Sequence, residues 1–370
     1  MVVKMNFFEL SLEELSTWLA TAGEPAFHAR QIFQWVYDKS IVDWEAMSNL
    51  SSNLRQKLQK QVKLKHLELV KVTPSNDNET YKFLWKLPEG NFVESVLICS
   101  KKRRTVCVSS QVGCPVRCAF CASGMRGFIR NLRPAEIIEQ IVQINHWLQA
   151  RGERICHVVF MGMGEPFKNY DAVLQAIRQI INPQALNISQ RRITVSTVGI
   201  TEGIRRFATE GLKVSLVLSL HAPNQKIRQK IIPYARKYPL EDVMAAMDEF
   251  AHKTKRDVTY EYILLAGIND HPDHAFELAN LLKSRQCTVN LIPYNPVQGL
   301  RLVRPETKQI KQFRSVLFGC KIVNTCRYTK GDDIAAACGQ LALQHAKLDK
   351  AAPDEENKPQ DGEGANAQAV

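Results

Sequence analysis

Between residues 104 and 318, short apolar runs alternate with longer stretches of helical periodicity, and this alternation restricts the fold more than any other feature of the chain. Six strand-then-helix units can be counted, with strands predicted at 105–110, 157–162, 192–197, 213–220, 257–265 and 288–293. Helical stretches such as 134–150 and 272–284 separate them. Strands joined in this way pair in parallel, because a crossover helix returns the chain to the same end of the sheet. The expectation is a parallel α/β unit over residues 100–345, doubly wound or closed fully or partly into a barrel.

The flanks read differently. Residues 1–65 form a small helical domain: Ser11 and Glu14 make a capping box, and Leu12, Leu15, Trp18 and Leu19 share one helical face until Gly23-Glu24-Pro25 stops it. Phe27, Ile32, Phe33, Trp35 and Val36 supply the buried side of a second helix, and a weaker third spans 50–59. Residues 66–99 read as a β-hairpin connector, with strands on either side of Pro88-Glu89-Gly90-Asn91. Residues 346–370 carry few apolar groups and read as a disordered acidic tail.

No apolar run approaches the length of a membrane span and no basic-then-apolar leader opens the chain, so a soluble cytoplasmic protein with no membrane partner is expected. Against that background ten cysteines argue for metal ligation or thiol chemistry rather than a disulfide scaffold. The formal net charge of +12 favours an anionic partner. Basic clusters at Lys101 to Arg104, at Arg126, Arg130 and Arg133, at Arg191 and Arg192, at Lys226, Arg228 and Lys230, and at Arg236 and Lys237 are candidate phosphate contacts.

Spacing singles out Cys114-Pro-Val-Arg-Cys118-Ala-Phe-Cys121, directly after the first strand of the α/β region. Three thiolates can hold three irons of a 4Fe-4S cluster and leave the fourth open to a ligand other than protein. A structural zinc site normally closes with four ligands in two pairs, and no second CxxC pair is present.

This CxxxCxxC run, with an aromatic before its last cysteine, resembles the radical S-adenosylmethionine (SAM) superfamily. Further motifs sharpen the likeness: Cys107-Val-Ser-Ser-Gln-Val-Gly-Cys114, Arg130-Asn-Leu-Arg133, Met161-Gly-Met-Gly-Glu-Pro166 and Ala337-Cys338-Gly-Gln-Leu341 are similar to the bacterial RNA adenine-C2 methyltransferases. The resemblance runs from about Leu10 to Leu341 and implies a partial (βα)6 barrel with a small N-terminal helical, RNA-binding domain. It implies a 4Fe-4S cluster at Cys114, Cys118 and Cys121, and two SAM molecules per turnover. Gly164, Glu165, Ser196, Ser219, Leu220, His221 and Asn295 are the implied SAM contacts. All but one sit at or just past the predicted carboxyl ends of strands, and Asn295 lies beyond the last, where barrel sites are built. Singly, each also has an ordinary role: Gly-Glu can simply close a turn, and a lone histidine is often a satisfied buried imidazole.

By the same resemblance, Cys338 accepts a methyl group from one SAM, and a radical made from a second SAM activates that methyl to add to adenine. Cys107 then releases the RNA by attacking the Cys338 sulfur, leaving a disulfide for cellular reductants, and Glu94 serves as the base for the C2 proton. Partners so implied are 23S rRNA, a tRNA, and an electron donor such as flavodoxin, with the enzyme a monomer. Two rivals stay open: a methyltransferase acting on C8 of adenine, which Pro166 disfavours, and a non-catalytic metal-binding RNA module. Two departures from the family pattern are Lys330, where arginine is expected, and Ser123, where threonine is usual. Cys99, Cys156, Cys287, Cys320 and Cys326 are read as structural.

Overall fold

The computed structural model describes residues 4–125, 127–326 and 330–341. The expected tail and Arg126 therefore lie outside the described residues. Among the described residues a ten-stranded sheet carries the protein, and its order in space follows the chain from one edge to the other. Three antiparallel strands come first: β1 (Glu68–Pro74), β2 (Thr80–Lys86) and β3 (Phe92–Ser100). The next strand, β4 (Arg103–Cys107), is antiparallel to β3 but parallel to β5 (His157–Phe160). From there β6 (Ile193–Thr197), β7 (Ser215–Ser219), β8 (Val258–Leu264), β9 (Cys287–Pro293) and β10 (Asn324–Cys326) continue in parallel.

Strands β4 to β9 are the six units expected from the sequence. Strand β10 is a seventh, only three residues long and half exposed, so it carries no apolar run to betray it. The first and last strands do not pair with each other, and the sheet stays open as a partial barrel does. The hairpin of β2 and β3 continues the parallel sheet through β4, and its buried Phe83, Trp85, Val93 and Leu97 join the barrel core.

At the N-terminus the helices Leu12–Thr21, His28–Phe33 and Ser52–Gln61 surround an aromatic cluster of Phe7, Phe8, Phe33, Tyr37 and Trp44, with ring centroids 5.3–6.5 Å apart. Ser11 and Glu14 make the expected capping box. This cluster is continuous with the main core. The helix Pro134–Leu148 lies between the two, so even its Glu136, Glu139 and Gln140 are buried. Glu139 accepts hydrogen bonds from the backbone N–H of His66 (2.6 Å) and Leu67 (2.8 Å), where the N-terminal unit meets β1. Desolvation pushes its carboxyl up to about 7.

Candidate active site

Strand register decides which side chains share a face, because directly paired residues point the same way and so do residues two apart. Lys82 pairs with Val96, Val96 with Cys107 and Cys107 with Val159. Val159 pairs with Thr194, Ser196 with Val217, Ser219 with Glu261 and Glu261 with Asn290. Lys82, Glu94, Cys107, Ser196, Ser219 and Glu261 therefore occupy one face of the sheet, although they come from six strands.

The cysteine loop rises beyond β4. A small hairpin of Gln111–Gly113 with Phe128–Asn131 holds its two ends, and Cys114 N–H donates to Gly127 O at 3.0 Å. Inside the loop Cys121 N–H donates to Cys118 O at 3.1 Å and Ala119 N–H to Ile231 O at 2.9 Å. Gly124 allows the backbones to close, since a Cβ there would come within 2.8 Å of Arg117 Cα. All three thiols line one cavity. Burial pushes Cys114 up to about 12 and raises Cys118 and Cys121 as well, so as thiolates they call for a compensating cation. Among the described residues no three His, Cys, Asp or Glu groups converge to share a single ion. Three thiols spread around a loop suit a polynuclear cluster, in which each sulfur binds its own iron.

Carboxyl ends of the parallel strands form the rest of the cavity wall, including Gly164, Glu165, Ser196, Thr197, Val198, Ser219, His221, Glu261 and Ile263. Glu165 is buried and accepts hydrogen bonds from Phe167 N–H (3.0 Å), Thr197 Oγ1 (2.8 Å) and Val198 N–H (2.9 Å). Desolvation raises its carboxyl to about 7 despite those donors. Gly164 has φ +108° and is crowded by Gln111, whose side chain a Cβ would meet at 2.7 Å. Ser196 and Ser219 share a hydrogen bond of 3.1 Å between their hydroxyls.

His221 is both a satisfied buried imidazole and a cavity residue. Its Nδ1 accepts from Ile263 N–H at 3.0 Å, which leaves the ring proton of the neutral form on Nε2. Burial and then the charge of Arg228 pull its pKa down to about 3, so the ring is neutral across the physiological range. Leu220 is buried, and its backbone N–H donates to Glu261 O at 3.0 Å.

A final stretch, residues 330–341, brings Cys338 and Gly339 to the cavity wall. Lys330 pairs with Glu79 at 2.5 Å, Asp333 accepts from Asn76 N–H at 2.7 Å, and Lys82 Nζ donates to Ala335 O at 3.3 Å. At the far end Ala122 N–H donates to Gly339 O at 2.7 Å, and Gln340 Nε2 donates to Pro296 O at 2.9 Å. Asn295 Nδ2 donates to Cys338 O at 3.4 Å, so this buried amide supports the segment. Held from both sides, Cys338 is exposed and lines the cavity that holds the three loop cysteines.

Known proteins resemble this chain in both sequence and fold. The Radical SAM superfamily model matches residues 108–279, and that of the ribosomal RNA large subunit methyltransferase N-terminal domain matches 5–64. A probable dual-specificity RNA methyltransferase RlmN 2 of Protochlamydia amoebophila is 68% identical over 340 residues, spanning 92% of this chain and 95% of that protein. The chain belongs to the RlmN family. A probable dual-specificity RNA methyltransferase RlmN of Symbiobacterium thermophilum is 48% identical, over 90% of each chain. The crystal structure of a radical SAM methyltransferase from Sphaerobacter thermophilus superposes with a TM-score of 0.88 at 42% identity, covering 91% of this chain and 99% of that one.

Membership in the RlmN family makes the chain a radical SAM RNA methyltransferase and removes the non-catalytic metal-binding module from consideration. The family implies SAM and a 4Fe-4S cluster, and the thiol loop and cavity fit both. Among the described residues no helix is long and apolar enough to cross a membrane.

Some of the site was not foreseen. Glu261 lines the cavity, and its signal was a carboxylate between Tyr260 and Tyr262 inside a central strand. The basic clusters need correction. Arg228 is fully buried rather than turned to an RNA phosphate, because it lies on the inner side of its helix. Arg104 pairs with Glu153, and Arg130 with Glu89 and Glu136, while Arg133 ties Glu136 to Glu9 of the N-terminal unit.

Proposed function

We propose that this RlmN-family chain methylates C2 of adenine in 23S rRNA at the peptidyl-transferase centre, and in the anticodon loop of tRNA, through S-methylation of Cys338. One observation carries the reading: an exposed cysteine is held from both sides over a cavity that three loop thiols also line. Bound cluster and two SAM molecules per turnover supply the methyl group and the carbon radical that such chemistry needs.

The chain's residues do the rest. Cys114, Cys118 and Cys121 hold the cluster. Glu165, with three donors already bound, keeps a carboxylate lone pair for the cationic amino group of SAM, and the hydroxyls of Ser196 and Ser219 and Nε2–H of His221 offer polar contacts along the same wall. Leu220 contributes through its backbone, and Asn295 by holding Cys338. The methyl group on Cys338 would give one hydrogen atom to the radical derived from the second SAM and its carbon would bond to C2; Glu94 takes the C2 proton, and the remaining unpaired electron of the adduct would leave to the cluster held by Cys114, Cys118 and Cys121. Glu94 is buried at 3.5 Å from Lys82, on the sheet face that also bears Cys107. A Cys107 thiolate attacks the Cys338 sulfur, and a disulfide forms as the carbon–sulfur bond breaks. The electron pair leaves with the RNA carbon, which is then protonated.

C2 of adenine is electron-poor and resists direct transfer of a sulfonium methyl, which is why a protein-borne carbon centre is used. The adenine reaches Cys338 unstacked or flipped out. The enzyme works as a cytoplasmic monomer fed by a flavodoxin-type electron donor.

The test is to incubate anaerobically reconstituted protein with SAM, reductant and 23S rRNA or tRNA, then digest the RNA and compare it by mass spectrometry with 2- and 8-methyladenosine. The C2 isomer is expected from both RNAs. The C8 isomer, or deoxyadenosine without methylated RNA, would overturn the assignment.

A further inference from the structure

Arg228 is fully buried on the helix Gln225–Ile231, which follows the Ser219-Leu-His221 turn. Its guanidinium donates from Nε to Leu220 O at 3.2 Å and from Nη2 to Val198 O, while Nη1 has no hydrogen-bond partner among the described residues. Among the described residues no Asp or Glu forms an ion pair with it. Burial pulls its pKa down to about 10, and the guanidinium stays cationic at neutral pH. A buried cation with no counter-ion and an orphaned N–H is a costly thing for a fold to keep.

Its helix packs against the cysteine loop, and Val198, whose carbonyl Arg228 holds, lines the cavity that the three loop cysteines also line. Ile231, one turn further along the same helix, accepts the N–H of Ala119, the residue after Cys118. Ile231 and Ala222 also pack with Val116 and Phe120 in a small apolar cluster against which all three cysteines rest. The orphaned cation is thus built into the wall of the loop that collects thiolates.

We propose that Arg228 is the resident counter-charge of this loop: its guanidinium raises the reduction potential of the iron-sulfur cluster held at Cys114, Cys118 and Cys121. The inference rests on the assignment of that cluster. Reduction adds one electron to a buried site, and a fixed cation nearby stabilises the reduced form more than the oxidised one. The two bonds to Val198 O and Leu220 O hold the guanidinium in place, so Arg228 is a positioning residue for charge.

The test is a redox titration of the reconstituted holoenzyme without SAM, followed by electron paramagnetic resonance, on wild type and on Arg228→Lys, Arg228→Gln and Arg228→Met, each with iron analysis. For Gln and Met the reduced-to-oxidised ratio at a fixed poise is expected to fall roughly tenfold or more, a midpoint lower by about 59 mV or more for a one-electron couple. Lys is expected to stay nearer wild type. If Gln and Met lose the cluster, Lys decides: a midpoint near wild type supports the proposal and one lower by about 59 mV or more overturns it. Wild-type midpoints in iron-replete Gln and Met, a Lys midpoint as low as that of Gln, or loss of cluster from all three variants would overturn it. Wild-type protein that takes up no iron-sulfur cluster would sink the functional assignment first, and this inference with it.

Discussion

Replacing Glu139 tests how the N-terminal unit is fastened to the barrel. Its carboxylate is fully buried, accepts hydrogen bonds from the N–H groups of His66 and Leu67 and from Nε2 of Gln143 on one oxygen, and leaves the other oxygen without a partner among the described residues. Its pKa rises from 4.5 to about 7 on folding, chiefly through desolvation. A carboxyl raised in this way costs nothing below pH 4.5, where it is protonated in both states. Stability is then lost as pH climbs toward 7, where the open state has already given up its proton. At about 1.4 kcal/mol per pKa unit, the penalty above pH 7 is about 3 kcal/mol. Glu139→Gln keeps an acceptor and removes the charge. Exchange of the His66 and Leu67 amides in the intact protein should therefore match wild type near pH 4 and be slower by about two orders of magnitude at pH 8. Glu139→Ala strands two N–H groups at about 1–3 kcal/mol each and should accelerate the same exchange at every pH. Hydrogen exchange read by mass spectrometry on peptides spanning 62–70 decides the matter. Faster exchange in the Gln variant at pH 8, or an Ala variant like wild type, would refute the pinning role.

Gly124→Ala puts a methyl group 2.8 Å from Arg117 Cα and 3.2 Å from Cys118 N, so the thiol loop must open; iron bound per chain should drop well below wild type while the fold, read by circular dichroism, persists. For Glu165, a carboxyl near 7 means that SAM affinity should fall roughly tenfold per pH unit below that value, and Glu165→Gln should weaken binding and flatten the dependence in equilibrium dialysis. Cys107→Ala should leave RNA covalently attached at Cys338, seen as a shifted band on a denaturing gel; full release of methylated RNA would remove Cys107 from the mechanism.

The strand-helix alternation and the cysteine spacing were legible because both are local. A strand or a crossover helix needs only a run of suitable residues, and the loop at 114–121 packs its three sulfurs into eight consecutive positions. Strand β10 escaped because three half-exposed residues carry no periodic pattern and take their strand form from β9 alongside. Arg228 was misread for a related reason: between Lys226 and Lys230 it looks like one more surface charge, and only the helix's docking against the loop turns it inward.

Local pattern was thus enough to name the kind of unit, its order along the chain and the thiols that share a short loop, since neighbours in sequence are held together by covalent reach. Pairing register and long-range closure settled everything else. Glu94, Cys107, Ser196 and Ser219 come from four strands and meet on one face through backbone hydrogen bonds. Cys338, more than two hundred residues from Cys121, reaches the same cavity because Ala122, Asn295 and Lys82 hold the carbonyls around it.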